Sequence, residues 1–218
     1  GNSVIIKRIS LPQMSRDELE ESITWEAEQY IPFDVNDVNI DVHILSQHAD
    51  EAGQMEVLLV AARKDLINEY SALLIEAGLR PAVIDVAAFA LENMFTLNYD
   101  VGPQPVALVN VGASTVNNNV LRGGTSAFTR DVGMGGRLYT EEIQRALNVS
   151  FEEAEALKVG GNERDRAAVV PEEVERVLSG VSENIATEVH RSLDFFLSTS
   201  GGVGLGGVFL SGGAAPTP

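Results

Sequence analysis

The chain contains no cysteine, so neither a disulfide framework nor a thiolate metal site is available to it. That suits a reducing compartment without establishing one. Its three histidines, His43, His48 and His190, are scattered, and none has a second ligand at metal spacing. Cations are also few: 15 Lys and Arg stand against 32 Asp and Glu, for a formal net charge of −17 and a pI near 4.4. A field of that sign repels phosphate backbones and anionic lipid, so nucleic acid and membrane surfaces are not expected as broad-face partners. No apolar run approaches the roughly 18 residues that span a bilayer. There is no G-x-S-x-G nucleophile elbow and no G-K-[ST] phosphate loop. The opening GNSVIIKRISLP enters a strand almost at once and has neither the shape of a signal peptide nor a capped start, as a trimmed chain would begin.

What the chain does have is the composition of an ordinary globular protein. It has 218 residues, 44% of them hydrophobic and 22% charged, enough for one large domain or two small ones. Ser3 to Ile9 alternates as a strand does. Ser15 and Glu18 then form a capping box before a helix to about Tyr30, with Leu19, Ile23, Ala27 and Tyr30 on one face and Trp25 well off it. Pro32 stops this helix, and Val38, Ile40, Val42 and Ile44 alternate with polar residues as a half-buried strand. MEVLLVAA, 55 to 62, reads as a central strand covered on both faces, with a helix from about Lys64 to Ala77, ended by Gly78, as the cover. LRPAVIDV reads as a further strand and AAFALENMF as a helix. Such alternation indicates a layered α/β domain.

VGPQP after Asp100 is the best candidate boundary. Three strands follow, PVALVNVG, STVNNNVLRG and TSAFTRDVG, the last two joined at Gly123-Gly124. Beyond Gly133 the pattern turns helical, with a second capping box at Ser150 and Glu153. A long amphipathic helix begins at Pro171, carrying Val174, Val177, Val181, Ile185, Val189, Leu193 and Phe196 on one stripe, and a last short strand follows at VFLSGG. The formal G-x-G-x-x-G at Gly202, Gly204 and Gly207 follows a helix and precedes a strand, the reverse of a dinucleotide fingerprint, and reads as a connection.

Three small-residue turns remain, each at the end of a regular element. Gly112-Ala113-Ser114 joins two strands, Gly133-Met134-Gly135-Gly136 opens a helix whose first amides are placed to face an anion, and Ser211-Gly212-Gly213 follows the last strand. Each is either an ordinary turn or part of an anion and ring site. Glu155 and Lys158, at i and i+3, are either a surface ion pair or an acceptor and a cation for a ligand.

The stretches WEAEQYIPFDVNDVNIDVHIL, NVGASTVNNNVLRGGTSAFTRDVGMGG, YTEEIQRALNVSFEEAEALKVGG and FFLSTSGGVGLGGVFLSGGAA, in this order, resemble the type IV pilus assembly protein PilM family from about Ser3 to Ala215. That family is similar to the cell-division protein FtsA and belongs to the actin-like ATPase group. The resemblance implies an α/β, two-lobed actin-like fold with ATP between the lobes, in a fragment trimmed at both ends. Residues 1–100 would be the end of the first lobe with a small inserted subdomain, and 101–218 the second lobe with a helical insertion at about 136–170. It further implies a nucleotide site of Asn110, Gly112, Ala113, Ser114 and Thr115 at the second phosphate motif, with Gly135 and Gly136 beside it, Glu155 and Lys158 towards the ribose or base, and Gly212 and Gly213 at the adenosine. Asn110 stands where the family pattern has an aspartate, and a neutral amide cannot supply the charge that helps hold a hydrated Mg²⁺. The first phosphate motif is missing. ATP with Mg²⁺ is therefore expected in a full-length parent and weak or absent in this fragment, with little or no ATPase activity.

The family's role implies a cytoplasmic protein held at the inner-membrane face through partners, above all the N-terminal cytoplasmic tail of the membrane protein PilN, and then other platform and motor components of the pilus machine. Trp25, Tyr30, Ile31 and Phe33 form an aromatic and apolar cluster suited to an apolar peptide, or else lie in core. Two other functions are compatible with the sequence. One is an active ATPase or kinase of the same fold with Asp85 or Asp131 replacing the missing carboxylate, and the other is an FtsA-like division scaffold.

Overall fold

The structure is a computed structural model, described here for residues 3–45, 53–160, 172–201 and 203–217. His48, Pro171, Gly202 and residues 161–170 of the expected insertion lie outside the described residues. The chain divides into two compact units, 1–84 and 85–218.

The first unit is a three-stranded antiparallel sheet in the order β1-β3-β2, with β1 Val4–Pro12, β2 Val38–Ile44 and β3 Gln54–Arg63. Helix α1, Arg16–Ala27, starts in the expected Ser15/Glu18 capping box. It buries Leu19, Ile23 and Ala27 against Val57, Leu59 and Ala61 of the central strand. The helix stops at Ala27, earlier than the sequence suggested, where the last turn tightens to i→i−3 bonds, Gln29 N–H to Glu26 O at 3.3 Å and Tyr30 N–H to Ala27 O at 2.9 Å.

Strand β3 is central as expected, but its second face is not covered by the following helix. Helix α2, Lys64–Glu76, has no fully buried residue, and of its apolar side chains only Leu66, Ile67 and Leu74 are half-buried. It begins at the residue after β3, and a connection of no length cannot turn the chain back across the sheet. Its end has the Schellman pattern, Leu79 N–H to Leu74 O and Gly78 N–H to Ile75 O, both 2.9 Å, with Gly78 at φ +79°. Residues 79–86, expected as a strand, form none. Pro81 has no N–H to donate, no described strand lies alongside, and Val83 is 83% exposed.

The second unit has three layers. Its sheet runs β6-β5-β4-β7, built from β4 Val106–Val111, β5 Val116–Arg122, β6 Thr125–Val132 and β7 Gly207–Ser211. The first three strands form the expected meander, and Gly123 and Gly124, at φ +60° and +84°, supply the two positive φ angles that a type I′ hairpin requires. Strand β7 returns parallel to β4. One face is covered by α4 Gly136–Leu147, α5 Phe151–Lys158 and α6 Glu172–Thr199, whose Tyr139, Ile143, Ala154, Val174, Leu178 and Val181 pack on Val109, Val111 and Val116. Helix α3, Ala87–Asn98, covers the other face, with Phe95 against Leu108 and Leu121. The α6 stripe is as read from the sequence at Val174, Val181, Ile185, Leu193 and Phe196, whereas Val177 and Val189 are half-buried and Leu178 and Ser192 are buried as well.

Candidate functional site

The three small-residue turns meet at one end of the second unit's sheet. Gly136 N–H donates to Gly112 O at 2.8 Å, Arg137 N–H to Ala113 O at 2.7 Å, and Ala214 N–H to Val111 O at 3.1 Å. The contacts are so close that glycine is required at two positions. A Cβ on Gly135 would lie 2.4 Å from Gly112 O, and one on Gly212, which sits at φ +99°, would lie 2.4 Å from Val111 O.

These bonds correct one expectation. The first amides of α4 do not face an anion, because Gly136 and Arg137 spend theirs on the neighbouring turn and Leu138 N–H bonds Gly135 O at 2.9 Å. The amides that remain are those of Ala113, Ser114 and Thr115, which have no acceptor among the described residues. Three successive backbone donors without an acceptor in a solvent-facing turn are the pattern from which concave anion receptors are built.

A cleft of about 940 Å³ opens beside this turn, between Ala113 and Ser114, the start of α4, α5, the first turns of α6, and residues 213–217. Glu155 and Lys158 line it, and both are already engaged. Lys158 Nζ is 2.6 Å from the Glu155 carboxylate, 3.1 Å from Thr140 Oγ1 and 3.4 Å from Gly136 O, and Thr140 donates its hydroxyl proton to Glu155 at 2.5 Å. The pair thus rivets α5 to α4 as well as facing the cleft. Thr140, fully buried, was not anticipated. Its signal is positional: it is the polar member of the buried stripe Gly136, Tyr139, Thr140, Ile143. Arg137 and Phe151 add a second unanticipated wall, with the guanidinium 5.7 Å from the ring centroid.

Burial works to raise the Glu155 carboxyl, but the Lys158 ammonium and the Thr140 hydroxyl outweigh it and hold the group below the ordinary carboxylate range. A carboxylate held low stabilises the fold at every pH above its unfolded value of roughly 4.3 and loses that contribution as pH falls through its folded value. The α4–α5 contact is therefore expected to loosen only in acid, seen as faster amide exchange in α5, and Glu155→Gln is expected to remove that pH dependence.

Asn110 lies at the end of β4, where its Nδ2 donates to Asn117 Oδ1 at 3.1 Å, and Asn117 Nδ2 donates to Asp131 Oδ1 at 2.7 Å. No group of three His, Asp or Glu side chains that could hold a metal ion occurs among the described residues. Asp85 accepts the Val86 N–H at 2.7 Å at the start of α3 and does not line the cleft.

In the first unit the expected partner cluster separates. Ile31 is 6% exposed and belongs to the core, Tyr30 and Phe33 are half-buried against it, and Trp25 stands out at 67% exposure.

Among solved structures, one described as a PilM-PilN type IV pilus biogenesis complex is 29% identical and aligns with a TM-score of 0.80 over 98% of this chain. The chain spans 60% of the length of that protein. Others align over part of the chain: the ethanolamine utilization protein EutJ from Carboxydothermus hydrogenoformans, 24% identical over 54% of this chain and 38% of its own at TM-score 0.40, and an archaeal actin homolog, 16% identical over 64% and 44% at 0.46. The α/β class expected from the sequence stands in the helices and two sheets of the described residues. No helix among the described residues is long and apolar enough to cross a membrane. The family model for the type IV pilus assembly protein PilM matches residues 1–218, the whole of the sequence, and the chain belongs to that family.

Proposed function

We propose that the chain is the scaffold portion of a cytoplasmic, actin-like adaptor in type IV pilus assembly, which binds the N-terminal tail of PilN and through it is held at the inner-membrane face beside other platform and motor components. What carries this reading is the family match over every residue, together with the 29% identical structure described as a PilM-PilN complex. Its nucleotide is read as structural. The free amides of residues 113–115 and the 940 Å³ cleft fit a nucleoside phosphate, with Glu155 and Lys158 in its lining and Gly213, the member of the glycine turn that lines it, admitting a flat ring. A bound nucleotide with Mg²⁺ would supply phosphate charge at the 113–115 turn, and Asn110, a neutral oxygen at the strand end, would meet that cation only weakly.

The test is a titration of the protein with ATP-Mg²⁺ and with the PilN tail peptide, followed by phosphate release. The expected result is peptide binding, weak ATP binding and negligible turnover. Robust turnover that disappears in Asp131→Ala would instead favour an active ATPase. Trp25 is read as a direct contact of the tail, so Trp25→Ala is expected to weaken the peptide at least about tenfold, as interface tryptophans commonly do. Unchanged affinity in a folded variant would remove Trp25 from the interface.

A further inference from the structure

Four polar side chains form a row across the whole sheet of the second unit. The register pairs Ser211 of β7 with Asn110 of β4, Asn110 with Asn117 of β5, and Asn117 with Asp131 of β6. Three of them are linked in one direction. A carboxylate can only accept, so Asp131 takes the amide end of Asn117, which turns the Asn117 carbonyl towards Asn110, which must in turn donate. The last carbonyl, Asn110 Oδ1, is left pointing away from the ladder at the glycine turn: a Cβ on Gly212 would meet it at 2.5 Å. Beside it the Ser211 hydroxyl is buried without a hydrogen-bond partner, an independent sign that an acceptor or donor is wanted there.

We propose that Asp131 is a positioning residue which, through Asn117, fixes Asn110 with its carbonyl oxygen towards the glycine turn at 212, where it accepts from the hydration shell of the divalent cation accompanying a nucleotide. This rests on the nucleotide reading above. The strand end lacks a negative charge of its own, and the ladder converts a carboxylate two strands away into an oriented dipole. Without Asp131 the Asn117 and Asn110 amides are free to flip, and half of the flipped states offer the cation an N–H₂ group. Outer groups that orient a ligand in this way typically change metal-linked affinity by about 10- to 100-fold.

The ladder also defines its own reversal. Asn110→Asp alone sets two carboxylates on one asparagine, which has a donor at only one end. Asn110→Asp with Asp131→Asn restores a complete ladder running the other way and places the carboxylate at the glycine turn.

The experiment measures affinity for a fluorescent ATP analogue in Mg²⁺ and in EDTA, alongside the NMR signals of the side-chain amides. Asp131→Asn is expected to lower affinity about tenfold in Mg²⁺, leave the EDTA value unchanged, and shift the Asn110 amide signal two strands away. The double variant is expected to recover and exceed the wild-type Mg²⁺ dependence. An Asn110 signal that ignores Asp131→Asn, or equal losses with and without Mg²⁺, would overturn the positioning role while leaving the nucleotide reading intact. A wild-type protein that binds no analogue under either condition would overturn both.

Discussion

Gly212→Ala is expected to lower the stability of the second unit by about 3 kcal/mol and to reduce nucleotide affinity at least tenfold. Two costs combine. At φ +99° an added side chain is strained by about 1–2 kcal/mol, and its Cβ, 2.4 Å from Val111 O and 2.5 Å from Asn110 Oδ1, forces apart the turn and the strand that it abuts, for about 1–3 kcal/mol more. Gly135→Ala meets the Gly112 carbonyl at 2.4 Å and is expected to act similarly without the φ strain. The control is the adjacent Gly213→Ala. It meets nothing within 4 Å and has no positive φ, so its stability, though not its affinity since it lines the cleft, is expected to fall within about 0.5 kcal/mol of wild type. Urea denaturation reads the stabilities and an ATP-analogue titration the affinities. Equal behaviour at positions 212 and 213 would show that the close approach of the turns matters to neither.

The second large effect is expected at Asn119, which is 1% exposed on the α3 face of the sheet. Its Nδ2 donates to Ala88 O at 3.1 Å and lies 3.4 Å from a Glu92 oxygen, and its Oδ1 accepts from Ser126 Oγ at 2.7 Å. Ser126 N–H in turn reaches Glu92 at 3.2 Å. Asn119→Ala removes the bonds to Ala88 O and Ser126 Oγ together and opens a void. The expected loss is about 3 kcal/mol, with α3 loosened from the sheet in amide exchange. Asn118, equally buried, has an unpartnered Oδ1 and a single 3.3 Å bond to Arg130 O. Asn118→Val is expected to cost less than half as much, because less hydrogen bonding is lost. Comparable losses at both positions would show that burial, rather than the α3 network, sets the cost.

These asparagines also show where reading the sequence succeeds and where it stops. Elements set by local chemistry are legible: both capping boxes, the Gly123-Gly124 hairpin and most of the α6 stripe, and the three small-residue turns do meet. The strand at 79–86 was not, because alternation of apolar residues says nothing about whether a neighbouring strand exists to pair with. The covering role given to α2 failed for a related reason. Its apolar residues were visible, but the missing loop after β3 decides where they can go. The run Asn117-Asn118-Asn119 carried a signal that went unused: asparagine is depleted in strands, so three together in a central strand must be bonded to something. The sequence could not say to what, since the partners lie 7 to 31 positions away, on three different elements.

The bonds that occupy the start of α4 have a further effect on the anion receptor. The Gly112 carbonyl that accepts from Gly136 belongs to the same peptide group as the Ala113 N–H, and the Ala113 carbonyl that accepts from Arg137 to the same group as the Ser114 N–H. A hydrogen bond to a peptide oxygen draws electron density from its nitrogen and makes the N–H a stronger donor, by about 10–30% per bond. The positive end of a twelve-residue helix is thus delivered to the turn at one remove, through two polarised amides, so its electrostatic pull on a ligand depends on the turn staying in register with the helix.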